Sequence, residues 1–146
     1  MRKSIQSART FKSSVIIFLF LCLPCSTALF AAEKEQAKKI INESGFQNGL
    51  VVEIDCDDGQ LTAALGKATS GMVQGLDTEA QQVRQTRRKI RAHELGGRVS
   101  ARSFDGETLP YADNLVNLIV ATNGTPVTEE EIMRVLTPLG TAWIDG

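Results

Sequence analysis

Histidine occurs once in the 146 residues, at His93, and cysteine three times. A lone histidine has no second imidazole to help complete a metal site. His93 closes a helical pattern and is expected at the surface. Cys22 and Cys25 fall in an N-terminal leader, so Cys56 alone remains beyond it, and one thiol closes no internal disulfide. The fold must then rest on its core. Cys56 stands beside four acids, whose charge raises a thiol pKa and suppresses the thiolate, so it reads as a small packed residue rather than a nucleophile. No internal repeat and no low-complexity tract is present. No aromatic residue interleaves the one basic run, Arg84, Arg87, Arg88, Lys89 and Arg91. Residues 33–146 hold 12 basic and 17 acidic side chains, a net charge of -5. Such a balance does not favour holding nucleic acid by phosphate neutralisation.

The first 32 residues contain Arg2, Lys3, Arg9 and Lys12 and no acid. An apolar run, Val15 to Leu23, follows the basic stretch. Pro24 ends it, and small residues come next (Ser26, Thr27, Ala28, Ala31, Ala32). This order is that of a secretory signal peptide over residues 1–32, cleaved after Ala28 or within Ala31-Ala32. An uncleaved anchor or a mitochondrial presequence is the alternative. The run is short for a stable transmembrane helix, so no membrane span is expected after cleavage. Pro24 before Cys25 argues against lipid modification there. The expected product is one exported domain, periplasmic or extracellular, over residues 33–146.

What is present is organised around Leu50 to Leu65. Leu50, Val51, Val52 and Ile54 form an apolar strand carrying one acid, Glu53. The turn Asp55-Cys56-Asp57-Asp58-Gly59 follows, then a helix from about Gln60 to Lys67. A strand, a tight turn and a helix N-terminus make the ligand-cradling unit of an open α/β sheet. A helix from Glu33 precedes it, stopped at Gly45. A second strand spans Met72 to Asp77, and Thr78 is expected to cap a helix running to about Leu95. Strands follow over Arg98 to Phe104 and Leu115 to Ala121. Thr128 and Glu131 have capping-box spacing for a helix from Val127 to Leu136. Pro138-Leu139-Gly140 is expected to turn the chain into a fifth strand, Thr141 to Asp145. Alternating helices and strands predict a doubly wound α/β domain with its crevice at the carboxyl ends of the first three strands.

Those strand ends carry acids: Glu53 with Asp55 to Asp58, then Asp77, then Asp105. An acid at the tip of a second strand can accept both hydroxyls of a ribose. Asp105, beside Phe104, is placed to receive an exocyclic adenine amine. Taken singly, each acid is as well read as a turn or helix-cap residue. Three at successive strand ends point to a nucleoside.

The segments VVEIDCDDGQLTAAL, VQGLDTE, SFDGETLPYADNLVNLIVA and EEIMRVLTPLGTAWID resemble the successive motifs of class I S-adenosylmethionine-dependent methyltransferases. The resemblance covers about Glu33 to the end. It implies an α/β Rossmann-like doubly wound, mostly parallel sheet, truncated after the fifth strand. It also implies S-adenosylmethionine as cofactor. The family's first motif maps onto Glu53, Asp55, Asp57 and Gly59, its ribose acid onto Asp77, and its adenine-contacting motif onto Asp105 and Gly106. The Leu-Pro-aromatic segment maps onto Leu109-Pro110-Tyr111, and the turn before the fifth strand onto Arg134 to Gly140. The chain departs from the pattern where Asp55 and Asp57 replace motif glycines, where Leu139 replaces another, and where Asn117 stands for an acid. With the export signal, it also resembles the amino-terminal part of longer bacterial proteins that continue into a pyrroloquinoline-quinone-binding-like β-propeller, which implies such a downstream partner domain. No catalytic acid–base pair is apparent, and the methyl acceptor is not specified. Two readings follow: a methyltransferase domain, or a catalytically degenerate module of the same fold within a larger exported protein. A divalent-cation site at Asp55, Asp57 and Asp58 is weaker, because the spacing completes no known calcium loop. A dinucleotide oxidoreductase is weaker again, because the turn lacks the required glycines.

Overall fold

A computed structural model describes residues 25–122 and 124–145. Most of the leader, residues 1–24, therefore lies outside the described residues. The elements in chain order are α1 (Cys25–Ser44), β1 (Leu50–Ile54), α2 (Gln60–Ala68), β2 (Met72–Asp77), α3 (Ala80–Ala92), β3 (Val99–Ser103), β4 (Val116–Thr122), α4 (Glu129–Val135) and β5 (Leu136–Asp145). The five strands form one sheet in the order β3-β2-β1-β4-β5, every neighbouring pair parallel. The doubly wound α/β expectation holds.

The central strands are apolar on both faces because helices cover both. Val51, Leu118 and Val120 look toward one core, with Ala37 and Ile40 of α1, Ala64 and Leu65 of α2, and Val83 and Ile90 of α3. Val52, Ile54 and Ile119 look toward the other, with Ile132 and Val135 of α4 and the connection residue Leu109. The period-2 alternation of strand side chains makes this division. Glu53, between Val52 and Ile54, is thereby directed to the α1–α2 side.

Crossovers from β1 to β2 and from β2 to β3 run through α2 and α3. The β3–β4 connection has no helix. Instead Glu131 of α4 accepts the Leu109 N–H at 2.7 Å, and Arg134 donates to the carbonyls of Leu109 and Tyr111 and to Asp113. The Leu-Pro-aromatic segment is so fastened to α4. Arg134 also pairs with Glu131, at 2.7 Å. Pairing with Glu131 and Asp113 pushes the Arg134 pKa further up.

Four local expectations change. The first helix begins at Cys25 rather than Glu33, the alanines and leucine of the intervening stretch being strong helix formers. Thr78 does not cap α3: the helix starts at Ala80, and Asp77 Oδ1 instead accepts the Glu79 N–H at 2.8 Å. Thr128 does accept the Glu131 N–H at 3.2 Å, while the Glu131 carboxylate is taken by Leu109 and Arg134. Pro138 to Gly140 makes no turn between separate elements. The residues bulge within β5, where Val116 pairs with Leu136 but Leu118 pairs with Thr141.

Candidate functional site

A cavity of about 190 Å³ opens at the carboxyl ends of β1, β4 and β5. It lies where the strand order reverses between β1 and β4, the position at which doubly wound sheets take their ligands. The β1–α2 turn forms one wall, with Glu53, Asp55 and Asp57. Glu33 and Gln36 enter from α1, Val120 and Ala121 from β4, and Trp143 from β5.

The turn has the backbone of a glycine loop built from acids. Asp55 has φ 62° and Asp57 φ 45°. Aspartate enters this left-handed region several times more readily than most non-glycine residues. The aspartates at these two positions therefore take a backbone conformation that glycine adopts freely. Gly59 has φ 77°, and a Cβ there would stand 2.6 Å from the Thr86 Cα. Only glycine both adopts that conformation and lets the start of α2 meet α3 so closely.

Four carboxyls at the wall, Glu53, Asp55, Glu33 and Asp58, are tuned by their surroundings. Glu53 is 4% exposed, and the Thr62 hydroxyl donates to its Oε2. Burial pushes its pKa up to about 8 despite that hydrogen bond, and the charges of Glu33, Asp57 and Asp58 add to the rise. Burial also raises Asp55, with Asp77 next in effect. Glu33 is raised by burial and then by Asp58, while Lys89 opposes. Asp58 behaves differently. Burial works against its charge, but hydrogen bonds from Lys89 and from the Gln60 N–H outweigh it and hold the carboxyl below its usual range. The Lys89–Asp58 pair, at 2.8 Å, joins α3 to the start of α2.

Asp77 ends β2 almost fully buried, at 5% exposure. Its Oδ2 accepts the Asp57 N–H at 3.1 Å, so the tip of β2 and the β1–α2 turn are tied through one carboxylate. Its Oδ1 accepts the Glu79 N–H, so both oxygens serve the main chain. Gly106, at φ 91°, lies against Thr78, the residue after Asp77. Asp105 turns its Oδ1 onto the Glu107 and Thr108 N–H groups, at 2.9 and 2.7 Å. These bonds, Thr108 first, hold the Asp105 carboxyl below its usual range.

The sites marked in the sequence therefore fall into a chain of contacts. Glu53, Asp55 and Asp57 line the cavity, Asp77 joins it through Asp57, and Gly106 follows through Thr78. Asp105 is exposed beside Gly106. Two departures lie elsewhere. Asn117 Oδ1 accepts the Leu50 N–H at 3.0 Å, at the amino end of β1, and Leu139 sits in the β5 bulge, 97% exposed. Neither is at the strand ends that carry the cavity.

Cys56 is buried, its thiol 3.5 Å from the Thr86 hydroxyl, and burial pushes its pKa up to about 12. It is a packing residue, as the sequence suggested. His93 sits at the end of α3 with Lys67 Nζ at 3.0 Å from its Nδ1. Its pKa is lowered by burial, then by Lys67 and Lys89. Among the described residues, no group of three His, Cys, Asp or Glu side chains could hold a metal ion, and no helix is long and apolar enough to cross a membrane.

Sequence reasoning missed Glu33, Gln36, Trp143 and the Thr62 partner of Glu53. The Glu33–Gln36 spacing of three residues puts both on one helix face, but only the packing of α1 beside α2 turns that face to the turn.

Comparison with known proteins agrees with this geometry. A family model described as a methyltransferase domain matches residues 51–140. A protein from Methanococcus maripaludis, assigned as an S-adenosyl-L-methionine-dependent methyltransferase, is similar at a TM-score of 0.73 and 28% identity, over 82% of this chain and 57% of its own. A SAM-dependent methyltransferase from Aquifex aeolicus gives 0.66 and 20%, over 79% and 71%. The geranyl diphosphate C-methyltransferase of Streptomyces coelicolor A3(2), solved with Mg2+, geranyl diphosphate and S-adenosyl-L-homocysteine, gives 0.69 and 20%, over 81% and 48%. The last two likenesses show the fold alone. The chain thus spans under two thirds of the length of the Methanococcus protein. No curated protein matches the sequence. With its family match covering more than half of the residues, and with the sheet order and strand-end site that accompany it, the chain belongs to the methyltransferase domain family.

Proposed function

We propose that this domain binds the adenosyl cofactor of an S-adenosylmethionine-dependent methyltransferase, at the carboxyl ends of β1, β2 and β3. The observation that carries the reading is the left-handed backbone at Asp55 and Asp57, which keeps the path of a glycine loop where two glycines are missing. The cofactor fits this donor set at the nucleoside end. Asp77 would accept the ribose hydroxyls, Asp105 and Gly106 would border the adenine, and Glu53, Asp55, Asp57 and Gly59 would shape the turn beneath the sulfonium. When bound, S-adenosylmethionine supplies a methyl group already activated on sulfur. The protein's part is to hold the nucleoside and align the sulfonium with an acceptor. No residue is assigned a catalytic role, and the acceptor is left open.

The basic and apolar leader supports export of the domain, and the resemblance to longer exported proteins supports a place in a larger polypeptide. A second reading, a non-catalytic module of the same fold, is favoured by the carboxylates of Glu33, Glu53, Asp55 and Asp57 lining the cavity, which would repel a methionyl carboxylate.

Calorimetric titration of S-adenosylhomocysteine into the full 146-residue chain tests the primary reading. Binding is expected, and Asp77→Asn is expected to weaken it by about tenfold or more, since one good charge-assisted hydrogen bond is worth roughly 1.5–3 kcal/mol. The asparagine keeps one acceptor for the main chain, and a melting curve establishes that the variant is folded. Absence of adenosyl-ligand binding by the folded wild type would leave only the non-catalytic module.

A further inference from the structure

We propose that Asn48, just before β1, is a site of spontaneous covalent modification in the folded chain. It loses its side-chain amide as ammonia through a cyclic imide with Gly49 and reopens as an aspartyl or isoaspartyl residue. The reactants are the chain's own carboxamide and water, and the inference does not depend on the adenosyl-binding reading.

The chemistry needs a main-chain nitrogen able to reach the preceding carboxamide carbon. A side chain on the nitrogen's own residue crowds that attack, and glycine has none. Asn48 is followed by Gly49, whereas Asn42, Asn114 and Asn117 are followed by Glu43, Leu115 and Leu118. Asn123-Gly124 is the chain's other such pair, and Asn123 lies outside the described residues.

The fold leaves the first pair reactive. Asn48 is exposed, and its Oδ1 accepts the Gly49 N–H at 2.8 Å. With a C=O bond of about 1.23 Å, the Asn48 Cγ is then within about 4 Å of the nitrogen that attacks it. Among the described residues, that N–H serves no main-chain carbonyl, so the sheet does not withhold the nitrogen. The packing also fixes the susceptible pair in place. Gly49 has φ 117°, and a Cβ there would stand 2.0 Å from the Asn117 Oδ1, so the approach of β1 to β4 requires glycine at this position.

The Gly49 nitrogen, its proton taken by hydroxide, bonds to the Asn48 Cγ. The Cγ–Nδ2 bond breaks, and ammonia leaves with a proton from water. The imide then adds one water. Breaking the new N–Cγ bond restores the main chain with an aspartyl side chain. Breaking the original peptide bond leaves the chain running through Cγ, an isoaspartyl link longer by one carbon. No electrons are exchanged with any other group. The extra carbon falls just ahead of two bonds that hold the amino end of β1: the Gly49 carbonyl accepts the Met72 N–H at 2.9 Å, and the Leu50 N–H goes to Asn117 at 3.0 Å. The isoaspartyl link is expected to loosen both.

The full 146-residue chain is aged at pH 8 in heavy-oxygen water, folded and in urea, and its tryptic peptides are mapped by tandem mass spectrometry. In the folded chain Asn48 is expected to convert as fast as in urea, with heavy oxygen incorporated, while Asn42, Asn114 and Asn117 keep their amides. Conversion is expected to slow at pH 5, where hydroxide is scarce. Asn48→Gln moves the carboxamide one methylene away and is expected to abolish the product at this position. Amide exchange at Leu50 and Met72 is expected to quicken in aged wild type and not in aged Asn48→Gln. An Asn48 that stays intact in the folded chain while converting in urea overturns the inference. Conversion as fast at pH 5 as at pH 8 overturns the imide route, and unchanged exchange at Leu50 and Met72 in converted protein overturns the loosening of β1.

Discussion

Glu53→Gln is expected to make the domain more stable at pH 8 by up to about 4–5 kcal/mol while changing little at pH 4, a size set by the shift of Glu53 from its usual value to about 8 at 1.36 kcal/mol per pKa unit. The sign follows from proton binding. In the unfolded chain Glu53 ionises near 4.5, whereas the folded chain keeps its proton up to about pH 8. Between those values the folded state binds the extra proton, so stability falls as pH rises, and it levels off above pH 8. Glutamine keeps an oxygen to accept from Thr62 and carries no charge to desolvate. Urea unfolding of both proteins from pH 4 to pH 9 provides the difference curve. Glu33 and Asp55 share the direction of Glu53, and Asp58, Asp105 and Glu131 oppose it, but all are present in both proteins and cancel in the difference to first order. A flat difference would mean that Glu53 is not buried as described.

Gly59→Ala is expected to cost about 2–5 kcal/mol, the sum of roughly 1–2 for a non-glycine residue in the left-handed region and 1–3 for overpacking. The added Cβ would lie 2.6 Å from the Thr86 Cα and 2.7 Å from both branches of its side chain. Backbone cannot yield as the end of a flexible side chain can, so α3 would have to move away from α2. Gly45→Ala separates the two causes. Gly45 has φ 68° but nothing within 4 Å of its added Cβ, so it incurs the backbone strain without the clash. The two losses are read from denaturant midpoints at constant slope. Similar losses at both positions would remove the case for close α2–α3 packing at the turn. A displaced turn would also uncouple Asp57 from Asp77, so Gly59→Ala should weaken adenosyl binding as well.

The parallel sheet was legible because its strands are short, doubly apolar runs with clear breaks. β1 and β2 have the bounds that the run Leu50–Ile54 and the run Met72–Asp77 indicate. The acids at strand ends were legible for the same reason, since a strand's end fixes where its next residue lies. Long-range choices were not. That Thr78 leaves α3 uncapped depends on where Asp77 points once β2 is paired, since Asp77 takes the Glu79 N–H. Pro138 to Gly140 reads as a turn in isolation, but the pairing of β4 with β5 absorbs it as a bulge. Asn117 and Leu139 look like damaged motif positions until the register places them away from the cavity. Trp143 gives no signal of its own within an apolar strand, and it reaches the site only because β5 lies beside β4.

The family resemblance and the physical reading meet at Asp55 and Asp57. As replaced glycines they suggest a broken loop. As aspartates at positive φ they suggest a preserved loop with a new charge. The positive φ at both positions favours the second view, under which a nucleoside would lie across the turn, the tip of β2 and the start of the β3–β4 connection. Amide chemical-shift mapping of methylthioadenosine on the isotope-labelled full chain tests this most directly. The account predicts saturable shifts at Asp57, Asp77 to Glu79 and Asp105 to Glu107, with β5-bulge residues such as Leu139 unmoved. No shifts, or shifts confined to surfaces away from the carboxyl ends of β1, β2 and β3, would contradict it.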